Sequence, residues 1–328
     1  MMRFELLEAE EYYQSLLKEI PRAKQRVTIA AMVVLWGERT APIFDMLTEA
    51  VERGVKVTVL LDTYTRLTYL LDLDPSTSGP ERLKQTYRRL EALSAKGAAV
   101  YNFGKIVFPP HKGRCHLKVT VIDDISYSFG GVNFNDEMFS NSDYMLMSRN
   151  PEVADCLDQL VAKISGNRPP LTDGEVQLDP QTTILFDGGA RGRSLIYERA
   201  CELTAQAKNV QYASQMVPSG QLARLLNENH AEMYFNRAEQ MGSLSGIAQA
   251  FDQQKYRVTN RYRGTTYIHA KAMLFELPGR RKVLLSSSHN FSYRGVAFGT
   301  QEIALYSTDP ALWSAIERFI RKRIVKAR

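Results

Sequence analysis

Two short stretches of the chain alternate apolar and polar positions in the same way and carry the same residue order. They are the runs HLKVTVID at residues 116–123 and HAKAMLFE at residues 269–276. Alternation over this length predicts a β-strand. Positions i and i+2 share one face of a strand, so His116 lies with Lys118 and His269 with Lys271.

A carboxylate closes each run, seven positions after the histidine. These residues are Asp123 and Glu276. An odd offset directs them away from the histidine unless the strand ends or bulges first. The sequence therefore places them near the strand ends, outside the immediate surroundings of the histidines.

Each run is followed by a second short strand that leads into small residues and an asparagine. Asn133 comes seventeen residues after His116, and Asn290 comes twenty-one residues after His269, with Ser288 two residues before it. The repeated order of histidine, lysine and asparagine indicates two half-sites that form one active centre.

The rest of the chain repeats as well. Each half has the same predicted order of elements: strand, helix, strand, helix, motif strand, asparagine strand, strand and closing helix. This order predicts an α/β protein with a first half at residues 1–165, a linker at 166–180 and a second half at 181–328. Residues 4–20 have helical spacing ending before Pro21. Residues 256–262 have the composition of a strand.

These paired motifs resemble those of the phospholipase D superfamily, and the first copy matches in full. The second carries Glu276 where the family usually has aspartate. The stretch from Val119 to Asn133 is most similar to bacterial cardiolipin synthase-like phosphatidyltransferases. The resemblance implies an α/β fold of two phospholipase D-like α/β/α halves, with mixed sheets in a pseudo-twofold arrangement around one shared active site.

A phosphodiester requires a nucleophile, an acid for the leaving oxygen and cations for the phosphoryl oxygens. Two histidines suit the first two roles, since one can be neutral while the other is protonated. By the resemblance, His116 forms a phosphohistidine and His269 protonates the leaving alcohol, although the two roles could be exchanged. Neither a metal nor a cofactor is expected. The other expected site residues are the lysines that hold phosphoryl oxygens, the amide donors, and the carboxylates that orient a histidine: Lys118, Lys271, Asn133, Asn290, Asp123 and Glu276.

Further residues are expected to support the motifs. Glu302 resembles an acidic family position that supports a motif histidine, and Asp143 is its counterpart in the first half. Ser288 belongs to the same supporting group. His111 and His289 flank the motifs and are expected to be structural or to lie at the rim.

Composition limits the location and the partners. The net charge of +6 favours anionic partners only weakly, and three scattered cysteines favour a reducing compartment. The longest apolar run near the N-terminus, residues 27–36, is too short to span a bilayer. The cytoplasm is therefore expected, with peripheral attachment to the inner membrane face as the alternative.

Three functions are compatible with these motifs. The first is a phospholipid-directed phosphatidyltransferase or phospholipase D, whose substrate is an anionic phospholipid or membrane surface. The second is a nuclease of the same superfamily that cleaves DNA or RNA. The third is a binding module without catalysis, which the intact histidines and lysines disfavour. The basic C-terminal helix is docked with a solvated basic face, attracted to anionic lipid headgroups, or attracted to a nucleic acid backbone.

Overall fold

The computed structural model describes residues 3–66, 79–104, 114–165 and 171–326. The first half contains these strands and helices, in chain order: β1 (Phe4–Glu8), α1 (Ala9–Glu19), β2 (Arg26–Ala31), α2 (Ala41–Glu52), β3 (Lys56–Asp62), α3 (Gly79–Ala95), β4 (Ala99–Phe103), β5 (Lys118–Ile122), β6 (Ile125–Ser128), β7 (Tyr144–Ser148) and α4 (Pro151–Ser165).

The second half continues with β8 (Gly174–Asp179), β9 (Thr182–Gly188), α5 (Leu195–Gln206), β10 (Asn209–Ser214), α6 (Gln221–Glu228), β11 (Glu232–Phe235), α7 (Ser243–Tyr256), β12 (Ala272–Leu277), β13 (Arg281–Ser287), α8 (Tyr293–Phe298), β14 (Gln301–Ser307) and α9 (Pro310–Ile320). A π-helical turn, Arg321–Val325, follows α9.

Each half builds one seven-stranded mixed sheet. The orders are β1-β7-β6-β5-β2-β3-β4 and β8-β9-β14-β13-β12-β10-β11. Six strands correspond one to one, so that the motif strands β5 and β12 occupy equivalent central places. The first sheet adds β4 at one edge, and the second adds β8 at the other. The predicted α/β fold with two mixed sheets is confirmed.

Each sheet is mixed for the same reason. A helical crossover returns the chain to a parallel neighbour, so β2 pairs parallel with β3 and β10 with β11. The motif strand then joins the other side of the first strand in the antiparallel sense, as β5 does with β2 and β12 with β10. Tight turns connect each motif strand to the next strand, which continues the antiparallel half of the sheet.

The largest apolar core lies between the two sheets and draws on both halves. Val119 and Leu146 of the first sheet share it with Leu274 and Ile303 of the second, and α4 and α9 contribute to the same layer. The opposite face of the first sheet packs on α1 and α2, and that of the second on α5 and α6. Because the central core is common to both halves, it fixes how the motif strands face each other.

Three sequence predictions differ from the structure. The predicted helix at residues 4–20 begins only at Ala9, because residues 4–8 pair with β7 as the edge strand β1. The predicted linker at 166–180 contains β8, which pairs antiparallel with β9. Residues 256–262 are not a strand: α7 ends at Tyr256, and residues 257–262 are irregular. In the first two cases a neighbouring strand far away in sequence or a hairpin partner overrides the local signal.

Among the helices described, none is both long enough and apolar enough to cross a bilayer.

Candidate active site

Each motif histidine stands just before its strand, where the chain crosses to the other half. Cys115 forms an isolated β-bridge with Gln301, and the His116 N–H donates to the Gln301 carbonyl at 2.9 Å. Gln301 is the first residue of β14 and precedes Glu302. His116 is therefore held by the backbone of the second half.

The second histidine is held in the same way by the first half. Ile268 forms an isolated bridge with Ser142, and the His269 N–H donates to the Ser142 carbonyl at 3.1 Å. Ser142 precedes Asp143, as Gln301 precedes Glu302. The two halves thus exchange equivalent backbone contacts at their histidines.

A buried carboxylate of the second half binds the first histidine. His116 Nδ1 lies 2.8 and 2.9 Å from the two oxygens of Glu302. The Ser288 hydroxyl donates to Oε2 of the same carboxylate at 2.5 Å. Burial acts to raise the pKa of Glu302, but the neighbouring His116, with His289 and Lys118, lowers it to about 2. The ionised carboxylate holds the Nδ1–H tautomer of His116, which leaves Nε2 with its lone pair.

The second histidine has the reciprocal partner. His269 Nδ1 lies 2.8 Å from Asp143 Oδ2, and the Gly131 N–H donates to Asp143 Oδ1 at 3.1 Å. A Cβ atom at position 131 would lie 2.3 Å from the His269 carbonyl oxygen and 2.6 Å from Asp143 Oδ2. Only glycine leaves room for this approach. Gly131 corresponds to Ser288, so each carboxylate receives a second donor from the same place in its own half.

Both motif lysines are almost completely buried, at 1% exposure for Lys118 and 0% for Lys271. Lys118 Nζ donates to the His116 carbonyl at 2.9 Å, and Lys271 Nζ donates to the His269 carbonyl. Burial, and next the charge of Lys271, lowers the pKa of Lys118 to about 7. Burial lowers the pKa of Lys271 to about 8, although Asp143 and Glu302 oppose the change. Two buried lysines whose charges repel each other favour an anionic ligand.

The same environment keeps the imidazoles neutral. Burial lowers the pKa of His116 to about 4, against the opposing effect of Glu302. Burial, and next the charge of Lys271, lowers the pKa of His269 to about 3. An anionic phosphodiester beside them would favour the protonated form of either ring. Such a ligand could therefore convert one neutral histidine into a general acid.

The two asparagines retain hydrogen-bonding capacity. Asn133 Oδ1 accepts from the Val33 N–H at 3.4 Å. The carbonyl of Asn290 accepts from the Tyr212 and Ser214 hydroxyls, both at 3.2 Å. Its side-chain Oδ1 is buried without a partner among the described residues. Since buried polar atoms rarely lack a partner, this amide, in either orientation, can serve a ligand.

The motif carboxylates lie elsewhere, and the expectation that they orient a histidine is wrong. Asp123 accepts the backbone N–H groups of Lys24, Gln25 and Arg26 at 2.8 to 3.0 Å. Glu276 accepts from the Asn209 side chain at 2.9 Å. Seven positions of extended chain carry both to the far ends of their strands. Within the described ranges, the carboxylates that bind the motif histidines are Glu302 and Asp143, as expected for supporting residues.

Two polar residues that the sequence analysis did not assign to the site support it from the strand ends. The Asp62 carboxylate accepts the Cys115 N–H at 2.7 Å, just before His116. Asn236 accepts the Ile268 N–H at 2.8 Å and donates to the Ile268 carbonyl at 2.7 Å, just before His269. Asp62 is the last residue of β3, and Asn236 directly follows β11. A polar residue at the end of a buried strand is the sequence signal that could have identified them.

Of the two histidines that flank the motifs, the structure describes only His289. His289 is buried, its Nδ1 accepts the Phe291 N–H at 2.8 Å, and burial lowers its pKa. The ring of Tyr267 stacks near that of His269, with centroids 6.3 Å apart. His111 lies outside the described residues. Among the residues that the structure covers, no group of three His, Cys, Asp or Glu side chains could hold a metal ion.

Residues 16–164 match the family model described as cardiolipin synthase, PLD-like domain. The resemblance of the chain to the phospholipase D superfamily is thereby confirmed. Among curated proteins, cardiolipin synthase B of Salmonella typhimurium is 25% identical over 174 residues, which are 51% of this chain and 40% of that protein. The match thus spans less than half of the relative.

Two solved structures are similar in fold over 98% of this chain. Phosphatidylserine synthase of Haemophilus influenzae superposes with a TM-score of 0.72 and 15% identity, covering 86% of that chain. Polyphosphate kinase of Porphyromonas gingivalis gives 0.65 and 14% identity over 47% of that chain. At these identities the comparison establishes the shared fold.

Proposed function

We propose that the protein is a metal-independent phosphatidyltransferase or phospholipase D that acts on phospholipids through a covalent phosphohistidine. The observation that carries this proposal is the crossed pair of contacts His116–Glu302 and His269–Asp143, placed with two buried lysines. The similarity to cardiolipin synthase B supports a phospholipid as substrate.

In the first step, Nε2 of His116 attacks phosphorus, and the bond between phosphorus and the leaving alcohol oxygen breaks. His269, protonated when the anionic substrate is bound, gives its Nε2 proton to that oxygen. Lys118 and Lys271 neutralise the phosphoryl oxygens as charge develops there. Glu302 stabilises the positive imidazole that the attack produces on His116.

In the second step, His269 takes the proton of water or of an acceptor alcohol. The oxygen of that molecule attacks phosphorus, and the bond to His116 breaks. Water gives hydrolysis, and an alcohol gives transfer. The reverse assignment, with His269 as nucleophile, uses the same groups in exchanged roles.

The test compares the wild-type protein with His116→Ala and His269→Ala, in the presence of a chelator. Phosphatidylglycerol vesicles with a labelled acceptor alcohol, single-stranded DNA and double-stranded DNA serve as substrates. We expect labelled lipid product from the wild type and a loss of at least about 10³-fold in both variants. DNA cleavage without lipid turnover would overturn the substrate class, and activity that requires a metal would overturn the mechanism.

The nucleophile is identified by trapping. The wild type, mixed with substrate and quenched in alkali, is digested and examined by mass spectrometry. A phosphatidyl group on a peptide containing His116 is expected. The same group on a peptide containing His269 would exchange the two roles.

A further inference from the structure

Exposed apolar side chains gather on the two helices α7 and α8. Ile247 and Phe251 on α7 are 69% and 59% exposed, and Tyr293 and Phe298 on α8 are 46% and 48% exposed. Among the described residues, seven large apolar side chains are at least 38% exposed, and four of them belong to these helices. Such a concentration indicates an interaction surface.

One arginine joins the two helices. The Arg294 guanidinium of α8 forms an ion pair with Asp252 at 3.0 Å and donates to the Ala248 carbonyl at 2.8 Å, both on α7. Ile247 and Phe251 are four residues apart and therefore share one face of α7. We call the exposed side chains Ile247, Phe251, Tyr293 and Phe298 together the α7–α8 surface.

The charges on these two helices are mostly positive. Residues 243–257 and 293–299 contain three cations, Lys255, Arg257 and Arg294, and a single carboxylate, Asp252. Asp252 is buried and paired with Arg294. Lys255 Nζ lies 5.9 Å from the centre of the Phe251 ring, so a cation and an apolar anchor share the same edge. This combination suits an anionic lipid headgroup above an acyl layer.

The surface is tied to the candidate active site by hydrogen bonds. Gln249 of α7 donates to the Asn236 carbonyl at 2.6 Å, and Asn236 in turn binds the backbone of Ile268, next to His269. Helix α8 begins three residues after Asn290. Helices α7 and α8 therefore border the region where a phosphodiester would react, with Ile247 and Phe251 on the outward side of α7.

The basic C-terminal helix does not offer a comparable face. Ile316, Phe319 and Ile320 of α9 are buried in the central core. Lys322 and Arg323, in the turn after it, form ion pairs with Glu8. The alternative in which this helix is simply docked agrees with these contacts.

We propose that the α7–α8 surface docks the protein onto an anionic phospholipid bilayer. The inference rests on the proposed phospholipid activity and specifies where the substrate's membrane is met. Ile247 and Phe251 enter the boundary between headgroups and acyl chains, while Lys255 and Arg257 contact the anionic headgroups. The bilayer is thereby held at the side of the protein where His269 and Asn290 lie.

The test is co-sedimentation with vesicles, either of phosphatidylcholine alone or with added phosphatidylglycerol. The proteins are the wild type, Ile247→Ser/Phe251→Ser, and the matched control Val176→Ser. Val176 is 48% exposed on the edge strand β8, outside both helices. We expect the double variant to lose at least about tenfold in partitioning to anionic vesicles and the control to match the wild type. Binding should weaken in phosphatidylcholine alone and in high salt.

Turnover of a short-chain phospholipid below its micelle concentration separates docking from chemistry. The double variant should retain wild-type kcat/KM on this monomeric substrate, which also shows that it folds. Equal vesicle binding by the double variant and the wild type would overturn the docking proposal. So would light scattering showing that the two substitutions dissociate a dimer, or loss of DNA binding without loss of vesicle binding. Vesicle binding through this surface without any lipid turnover would instead refute the proposed function alone.

Discussion

His116 and Glu302 stand 186 positions apart, yet the imidazole Nδ1 lies within 2.9 Å of both carboxylate oxygens. The second histidine repeats the relationship in the opposite direction with Asp143. Each half of the chain therefore supplies the histidine of one pair and the carboxylate of the other. The carboxylates that matter for orientation are thus separate from the ones that close the sequence motifs.

This distinction predicts opposite outcomes for two conservative substitutions. Glu302→Gln should lower kcat by about 10–100-fold or more with a smaller change in KM, because the amide cannot stabilise the imidazolium. Glu276→Gln, at the motif position seven residues after His269, should change kcat less than twofold. Steady-state kinetics on a monomeric phospholipid measures both. A large loss in Glu276→Gln would restore a catalytic role to the motif carboxylate.

A second pair of variants tests the close approach at Gly131. Gly131→Ala should lower the free energy of unfolding by about 1–3 kcal/mol, because its Cβ collides with the His269 carbonyl and the Asp143 carboxylate. Gly174→Ala in β8 is the control, since a Cβ there has no neighbour within 4 Å. Urea unfolding should show the control within about 0.5 kcal/mol of the wild type. Equal stability of both variants would contradict the described packing.

The buried lysines should make the protein more stable as pH rises. The folded pKa of Lys118 is about 7 and that of Lys271 about 8, both below the usual 10.5, so the unfolded chain binds more protons above pH 7. Stability then rises with pH, by about 2 kcal/mol between pH 7 and 8.5 for the two groups together. Denaturant titrations across this range measure it. Lys118→Met should remove more than half of the rise, and an unchanged slope in that variant would assign the effect to other groups.

The same lysines predict a fall in kcat/KM in alkali. Binding of the anionic phosphodiester requires their cationic forms, which are lost as pH passes about 7 to 8 in the free protein. The bound substrate's negative charge favours protonated lysine, so the alkaline limb of kcat should lie at higher pH than that of kcat/KM. Initial rates from pH 6 to 10 give both profiles. A kcat/KM that stays level to pH 10 would exclude this role for the lysines.

The sequence was sufficient for the parts of the fold that repeat. The alternation after His116 and His269 predicted both motif strands, and the duplicated order predicted two equivalent sheets. Local patterns failed where a distant partner decides the structure: β1 forms because β7 is beside it, and β8 because it makes a hairpin with β9. Helix α7 was missed because its exposed face carries Ile247 and Phe251, which obscures the usual polar side of a surface helix.

The candidate site was likewise predictable where its residues belong to the repeated motifs, and not where they depend on contacts between distant parts of the chain. The repeated alternating runs identified His116, Lys118, His269 and Lys271, because all four lie within the runs themselves. It could not reveal that Glu302 serves the histidine of the other half, since that requires the fold. The resemblance to the family supplied Glu302 and Asp143. Asp62 and Asn236 act only through the backbone preceding each histidine, and neither resemblance nor spacing marked them.

The backbone bridges Cys115–Gln301 and Ser142–Ile268 also limit how the protein can move during turnover. In many two-domain enzymes a hinge opens the cleft, admits substrate and closes over it. Here, separating the halves would break the hydrogen bonds that hold both histidines in place. Under the proposed function, we infer that the two histidines stay assembled throughout the cycle and that the departing alcohol and the incoming acceptor exchange without separation of the halves.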